Sequence, residues 1–144
     1  MQAPFDIAAD LDTPVSAYLK LRELKPRFLL ESVEGGERLA RYSFLGFGDA
    51  LEVRMDSEAL TIAGEKQSRP TTQQEYLDAL RKALELAPRP RPDDELPVAG
   101  GLVGVSGYDV VRLFEKLPVD TEKQTSVPDA AFVAPQSMLV FDHL

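Results

Sequence analysis

The 144-residue chain has no cysteine, which removes both a disulfide framework and thiolate chemistry. It has one histidine, His143, so histidine-based triads and multi-histidine metal sites have almost nothing to draw on. No apolar run approaches the roughly 18 residues that a membrane-spanning helix needs. The first dozen residues carry Asp6, Asp10 and Asp12 and no basic stretch, which argues against a secretory signal. Positive charge is in short supply too. With 16 basic and 24 acidic residues the net charge is −8, which disfavours non-specific binding to nucleic acid or to an anionic membrane. Together these absences predict a cytoplasmic protein. What remains is ordinary globular composition, 44% hydrophobic and 28% charged, in a length that suits one domain with its own core.

Taken in order, the chain first offers Asp12 or Thr13 as a helix cap with Pro14 at the first helical position. Val15, Tyr18, Leu19 and Arg22 follow at helical spacing, predicting a short amphipathic helix that ends before Pro26. A strand is expected over 28–33, a turn at Gly35-Gly36 and a second strand over 41–47. Leu51 to Asp56 alternates apolar with polar, and so does Leu60-Thr61-Ile62, which predicts an antiparallel hairpin. Residues 64–71 read as a polar loop. Thr72-Gln73-Gln74-Glu75 is a capping box opening a helix whose inner face would hold Tyr76, Leu80, Ala83, Leu84 and Ala87, stopped by Pro88. The proline-rich run from Pro88 to Asp94 reads as a stiff connector rather than a domain boundary. Residues 100–107 read as a buried strand with packing glycines. A helix over 108–117 would turn Val111, Phe114 and the stem of Glu115 inward. A polar loop over 118–128 leads to an apolar strand region over 130–144, interrupted at Pro135. The fold class predicted is α+β, with a largely antiparallel sheet and two or three helices.

The most informative stretch is Phe28-Leu29-Leu30-Glu31-Ser32-Val33, followed by a double glycine and then Arg41-Tyr42-Ser43-Phe44. Strand side chains alternate, so Phe28, Leu30 and Ser32 share one face while Leu29, Glu31 and Val33 share the other. Each face then carries one polar group among hydrocarbon. A carboxylate buried there needs a partner or moves towards its neutral form. Edge-strand residues meeting water explain the same pattern.

Elsewhere, reaction chemistry is hard to find. Asp93-Asp94, and Asp109 with Glu115, suit solvated faces or caps better than paired-carboxylate catalysis. Gly101, Gly104 and Gly107 have neither dinucleotide-fingerprint nor phosphate-loop spacing. No serine nucleophile elbow occurs, and His143 is most simply a strand-end residue. Neither catalytic nor metal-binding residues are assigned.

The wording of several segments resembles the amino-terminal region of anthranilate synthase component I. These are Asp12-Thr13-Pro14-Val15 with Tyr18-Leu19-Lys20-Leu21, then Leu29-Leu30-Glu31-Ser32-Val33-Glu34-Gly35, then Arg41-Tyr42-Ser43-Phe44. Gly100-Gly101-Leu102-Val103-Gly104, Tyr108-Asp109-Val110-Val111-Arg112, Pro128-Asp129 and Val140-Phe141-Asp142-His143 agree in order. Two positions depart from the family pattern: Val105 where an aromatic is common, and Gly48-Asp49 where a proline is common.

The resemblance implies a lyase that makes anthranilate and pyruvate from chorismate and glutamine-derived ammonia in tryptophan synthesis. It implies that residues 1–144 are a regulatory and scaffolding domain, inactive by itself. A carboxy-terminal catalytic domain, into which the sheet would normally continue, would bind chorismate and Mg2+, and a glutamine amidotransferase subunit would be the partner. It further implies that L-tryptophan binds as feedback inhibitor at a site shared with Glu31, Ser32 and Leu30, with Arg41, Tyr42 and Ser43 on the next strand. Two alternatives stand beside it: the amino-terminal domain of the para-aminobenzoate branch enzyme, and a free-standing amino-acid-binding module.

Overall fold

The computed structural model describes residues 6–31, 41–89, 97–98, 100–117 and 127–143. The expected turn at Gly35-Gly36, most of the proline-rich connector and most of the loop over 118–128 lie outside them. The fold is α+β, as the sequence predicts. Strands β1 (Pro26–Glu31), β2 (Tyr42–Met55), β3 (Ala59–Ile62), β4 (Glu65–Ser68), β5 (Val103–Ser106) and β6 (Ala130–Asp142) make one antiparallel sheet. Its order is β4-β3-β2-β6-β5, with β1 paired to β2 off that path. The chain divides into two compact units, each assembled from separated stretches. One is Met1–Ala50, Pro88–Gly100 and Pro135–Leu144; the other is Leu51–Ala87 and Gly101–Ala134.

In the first unit, helix α1 (Pro14–Lys20) opens with a capping box, the Thr13 hydroxyl accepting from the Ser16 amide and Ser16 returning the bond. The buried face is not the predicted one. Pro14 and Ala17 are buried while Val15 and Leu19 are exposed. The helix lies against β1, with these two residues rather than the larger aliphatics buried. A 3₁₀ turn (Arg22–Leu24) then leads into β1. The two strands expected over 41–47 and 51–56 are one continuous β2 of 14 residues. Gly48-Asp49 looks like a turn, yet Gly48 absorbs a φ of 84° inside the strand. Its amide donates to the Lys25 carbonyl at 3.2 Å, and its carbonyl accepts from Arg27 Nε at 3.0 Å.

The second unit holds the main core: Val53, Met55, Leu60, Ile62, Tyr76, Ala83, Val110 and Ala130. The predicted hairpin is present, with Val53 opposite Ile62 and Met55 opposite Leu60. Residues expected to be loop instead form β4, paired to β3 from Ala59–Ser68 to Ile62–Glu65. Its polar wording reflects its place at the sheet edge, where nothing asks for apolar side chains. Helix α2 (Gln73–Leu86) starts at the predicted Thr72/Glu75 capping box and buries Tyr76 and Ala83, but Leu84 is exposed. Tyr76 Oη and Ser106 Oγ are 3.2 Å apart, so the ring's polar end is satisfied.

Three further expectations are corrected in this unit and in the last strand. β5 is an edge strand, mostly exposed rather than buried. The segment after it is a 3₁₀ helix (Tyr108–Leu113) that buries Val110, while Phe114 stays partly exposed with its ring edge-on to Tyr76. β6 runs unbroken through Pro135, which lies past Val133, the last residue in register with β5, so its missing amide removes no bond from that ladder. Asp129, 3% exposed, pairs with Arg69, whose guanidinium also donates to the Asp56 carbonyl. Its backbone amide donates to Met55 and its carbonyl accepts from Gly107, pinning the entry to β6.

Candidate functional site

The residues singled out by sequence fall in the first unit, where β1 meets β2. The two strands are in antiparallel register with Leu29 opposite Leu45, Leu30 opposite Phe44 and Glu31 opposite Ser43. Alternation therefore sets Leu29, Glu31, Ser43 and Leu45 on one face, and Phe28, Leu30 and Phe44 on the other. The first face is dry on its β2 side, where Leu45 is fully buried and Ser43 is 3% exposed, while Glu31 at the end of β1 is exposed. On the second face the Phe28 ring packs against Gly46, where a Cβ would come within 2.4 Å of it. Leu30 is 45% exposed.

Glu31 closes β1 and is exposed. Among the described residues its carboxylate makes no hydrogen bond or ion pair. Its neighbours across the ladder are fully engaged. Arg41 grips Asp142 with two bonds, Nε to Oδ1 at 2.8 Å and Nη2 to Oδ2 at 2.6 Å. That planar, bidentate pairing is the geometry guanidinium and carboxylate prefer. The Asp142 hydrogen bond holds the Arg41 guanidinium above its ordinary range. Arg41 also lies over the Tyr42 ring, 4.8 Å from its centroid. Its carbonyl accepts from the His143 amide at 2.8 Å. The imidazole of His143 stacks on Phe141 and brings Nε2 within 2.8 Å of Ser43 Oγ.

The cluster thus joins both predicted and unpredicted residues. Arg41, Tyr42 and Ser43 are together, with Leu30 and Glu31 across the ladder, while Ser32 lies outside the described residues. Asp142 and His143 enter from about a hundred positions away, as the hydrogen bonds spanning 101 and 100 positions record. The closing Phe-Asp-His wording marked them, but only strand pairing reveals their partners. Ser43 and His143 do not read as a nucleophile and base. The hydroxyl is buried, and the carboxylate that could orient the imidazole belongs to Arg41. Among the described residues no three acidic, histidine or cysteine side chains converge on a metal-sized site. Nor is any described helix long and apolar enough to cross a membrane.

Residues 25–144 match the sequence pattern of a family described as chorismate binding enzyme. The chain belongs to that family. Anthranilate synthase component 1 of Thermus thermophilus is 44% identical over 139 residues, a match covering 94% of this chain and 28% of that protein. The Synechocystis protein of the same name is 41% identical, covering 94% and 27% respectively. The crystal structure of anthranilate synthase component I from Streptococcus pneumoniae superposes with a TM-score of 0.57 at 27% identity, over 99% of this chain and 30% of that one. The chain therefore spans under a third of the length of these chorismate-binding relatives, and its fold matches their amino-terminal part.

Proposed function

We propose that this chain serves as the amino-terminal part of an anthranilate synthase component 1 and contributes half of an L-tryptophan feedback site. In this reading the whole enzyme converts chorismate and glutamine-derived ammonia to anthranilate and pyruvate in the cytoplasm. Chorismate and Mg2+ sit in the remainder of the subunit, and a glutamine amidotransferase subunit supplies the ammonia. The observation that carries the ligand site is Glu31. It is an exposed carboxylate with no partner among the described residues, beside a ladder on which Arg41, Asp142, Ser43 and His143 are already paired to one another. A free carboxylate at a strand end suits the ammonium group of an amino acid. Ser32, the next residue, is the proposed second contact; because Leu30 faces away from Glu31 across β1, the ligand would sit over the strand end with its indole towards Leu30. Arg41 acts on the site by holding Asp142 and the start of β2.

Calorimetry of L-tryptophan on the full-length subunit tests this. Glu31→Gln keeps the shape, removes the charge and should weaken binding by about tenfold, the scale of one charge-assisted bond. Ser32→Phe should abolish binding by filling the space. Thermal unfolding of both variants should match the parent. Unaltered affinity in both would remove the β1 terminus from the site.

A further inference from the structure

Glu31, Ser43 and His143 form a row across three neighbouring strands. Glu31 lies opposite Ser43 in the β1–β2 register, and β2 has β6 as its other neighbour. Just past the end of β6, His143 brings Nε2 within 2.8 Å of Ser43 Oγ. Side chains directly opposite on an antiparallel pair stand about 5 Å apart at Cβ, so Ser43 is a near neighbour of both the acid and the imidazole. The tryptophan site described above uses Glu31 and leaves His143 without a role. Yet His143 is the one histidine of the chain, and its ring is open to solvent, where a proton can reach it.

The chemistry of the row depends on that proton. A serine hydroxyl has one proton to give and two lone pairs to accept with. Opposite a neutral imidazole it can bond in either sense, because Nε2 accepts in one tautomer and donates in the other. The Ser43 proton can then be given to the ring. A charged imidazolium only donates. Its Nε2 proton goes to Ser43 Oγ, and the serine's own proton has to turn elsewhere. The acceptor opposite on that face is the Glu31 carboxylate.

We propose that His143 is a positioning residue of the L-tryptophan site, acting through Ser43, and that a proton on its ring opposes the ligand. This rests on the reading given under Proposed function. Two effects have the same sign. The charged ring turns the Ser43 hydroxyl towards the carboxylate that the ligand's ammonium needs. It also sets a positive charge in the same row, about 10 Å from Glu31 by the spacing of two strands. Among the described residues the other charged or titratable groups around the ring are Arg41, Tyr42 and Asp142. Arg41 and Asp142 pair with one another through two bonds and Tyr42 lies against the guanidinium, so none is placed to cancel the new charge. Phe141, stacked on the ring, brings no charge.

The test is calorimetry of L-tryptophan on the full-length subunit from pH 8 to pH 6, a window in which histidine ordinarily changes charge and carboxylates do not. The parent's affinity should fall about threefold across it, the scale of one like charge at that distance near a wet surface. Since affinity then rises with pH, binding must release protons. Titration in two buffers of different ionisation heat should count about 0.3 proton per tryptophan bound in the middle of the window. His143→Gln keeps a group able to meet Ser43 but takes up no proton. It should match the parent at pH 8, hold its affinity down to pH 6 and lose the release. A merely structural role for His143 would instead weaken binding equally at every pH. Tryptophan binding that neither changes with pH nor releases protons in the parent overturns the linkage and leaves the proposed function standing. A slope that His143→Gln leaves intact assigns the proton to another group and overturns the role of His143. No tryptophan binding at any pH defeats the proposed site, and the linkage with it.

Discussion

A methyl group at Gly104 would lie 2.1 Å from the Ala131 carbonyl oxygen and 2.6 Å from Phe132 Cα. Both atoms are backbone of the paired strand, so neither can swing aside as the end of a side chain would. Gly104→Ala must therefore push β5 off β6 locally, an overpacking cost of about 1–3 kcal/mol. The midpoint of urea unfolding should fall accordingly with its slope unchanged, and a midpoint equal to the parent's would show that the ladder has more room than its geometry suggests. Gly46 offers a useful contrast, because there the crowding atoms belong to the Phe28 and Pro135 rings. Ser43 shows a different kind of residue-scale constraint. Its hydroxyl is buried and, among the described residues, meets the His143 imidazole, so loss of that ring leaves a polar atom to be satisfied some other way.

At the scale of elements, α2 shows how much local wording can carry. The Thr72 hydroxyl accepts from the Glu75 amide, and Glu75 answers with bonds from the Thr71 and Thr72 amides. Thr72→Ala removes the first of these and should cost about 1 kcal/mol, the usual worth of such a cap. Thermal melts followed at 222 nm would register it, and an unshifted melt would mean that tertiary packing alone fixes the start of α2. The Thr72/Glu75 capping box, the Thr13–Pro14 helix start and the β2–β3 hairpin were legible because each is written in adjacent residues, whereas the reciprocal Ser16 bond of the first cap was not read. The α1 face was not, because the buried residues are Pro14 and Ala17, which hydrophobic periodicity does not single out, while Val15 and Leu19 are exposed. β4 was hidden by its edge position, which asks for polar residues that read as loop. The site divided in the same way. Leu30, Glu31 and Ser43 could be placed from alternation along the strands, whereas the partners of Arg41 and Ser43 lie about a hundred residues on and had no local signal.

At the scale of the whole molecule, an excess of acidic groups meets a set of carboxylates that folding holds in their charged form. Asp12 is lowered by the Lys20 ammonium and then the Ser16 hydroxyl, and Asp56 by the backbone amides of Glu58 and Ala59. Glu75 is lowered chiefly by the Thr71 amide and hydroxyl, and Asp78 by the Gln74 amide and the Arg81 guanidinium. The ordinary values are 3.8 for the aspartates and 4.5 for the glutamate, and each folded value lies below its own. As pH falls from neutral, the unfolded chain takes up these protons first. Stability is therefore whole above the ordinary values, declines as pH drops through them, and is lost once the folded values are passed. Urea midpoints should be level from pH 7 down to roughly 5 and fall steadily below that. Asp56→Asn separates this cause from general acid damage. The amide oxygen can still accept from Glu58 and Ala59 but cannot titrate, so the variant should start less stable at neutral pH and lose less on acidification. If its curve runs parallel to the parent's through the whole acid range, the charged carboxylate at the β2–β3 turn contributes nothing to acid sensitivity, and the decline must come from the other groups.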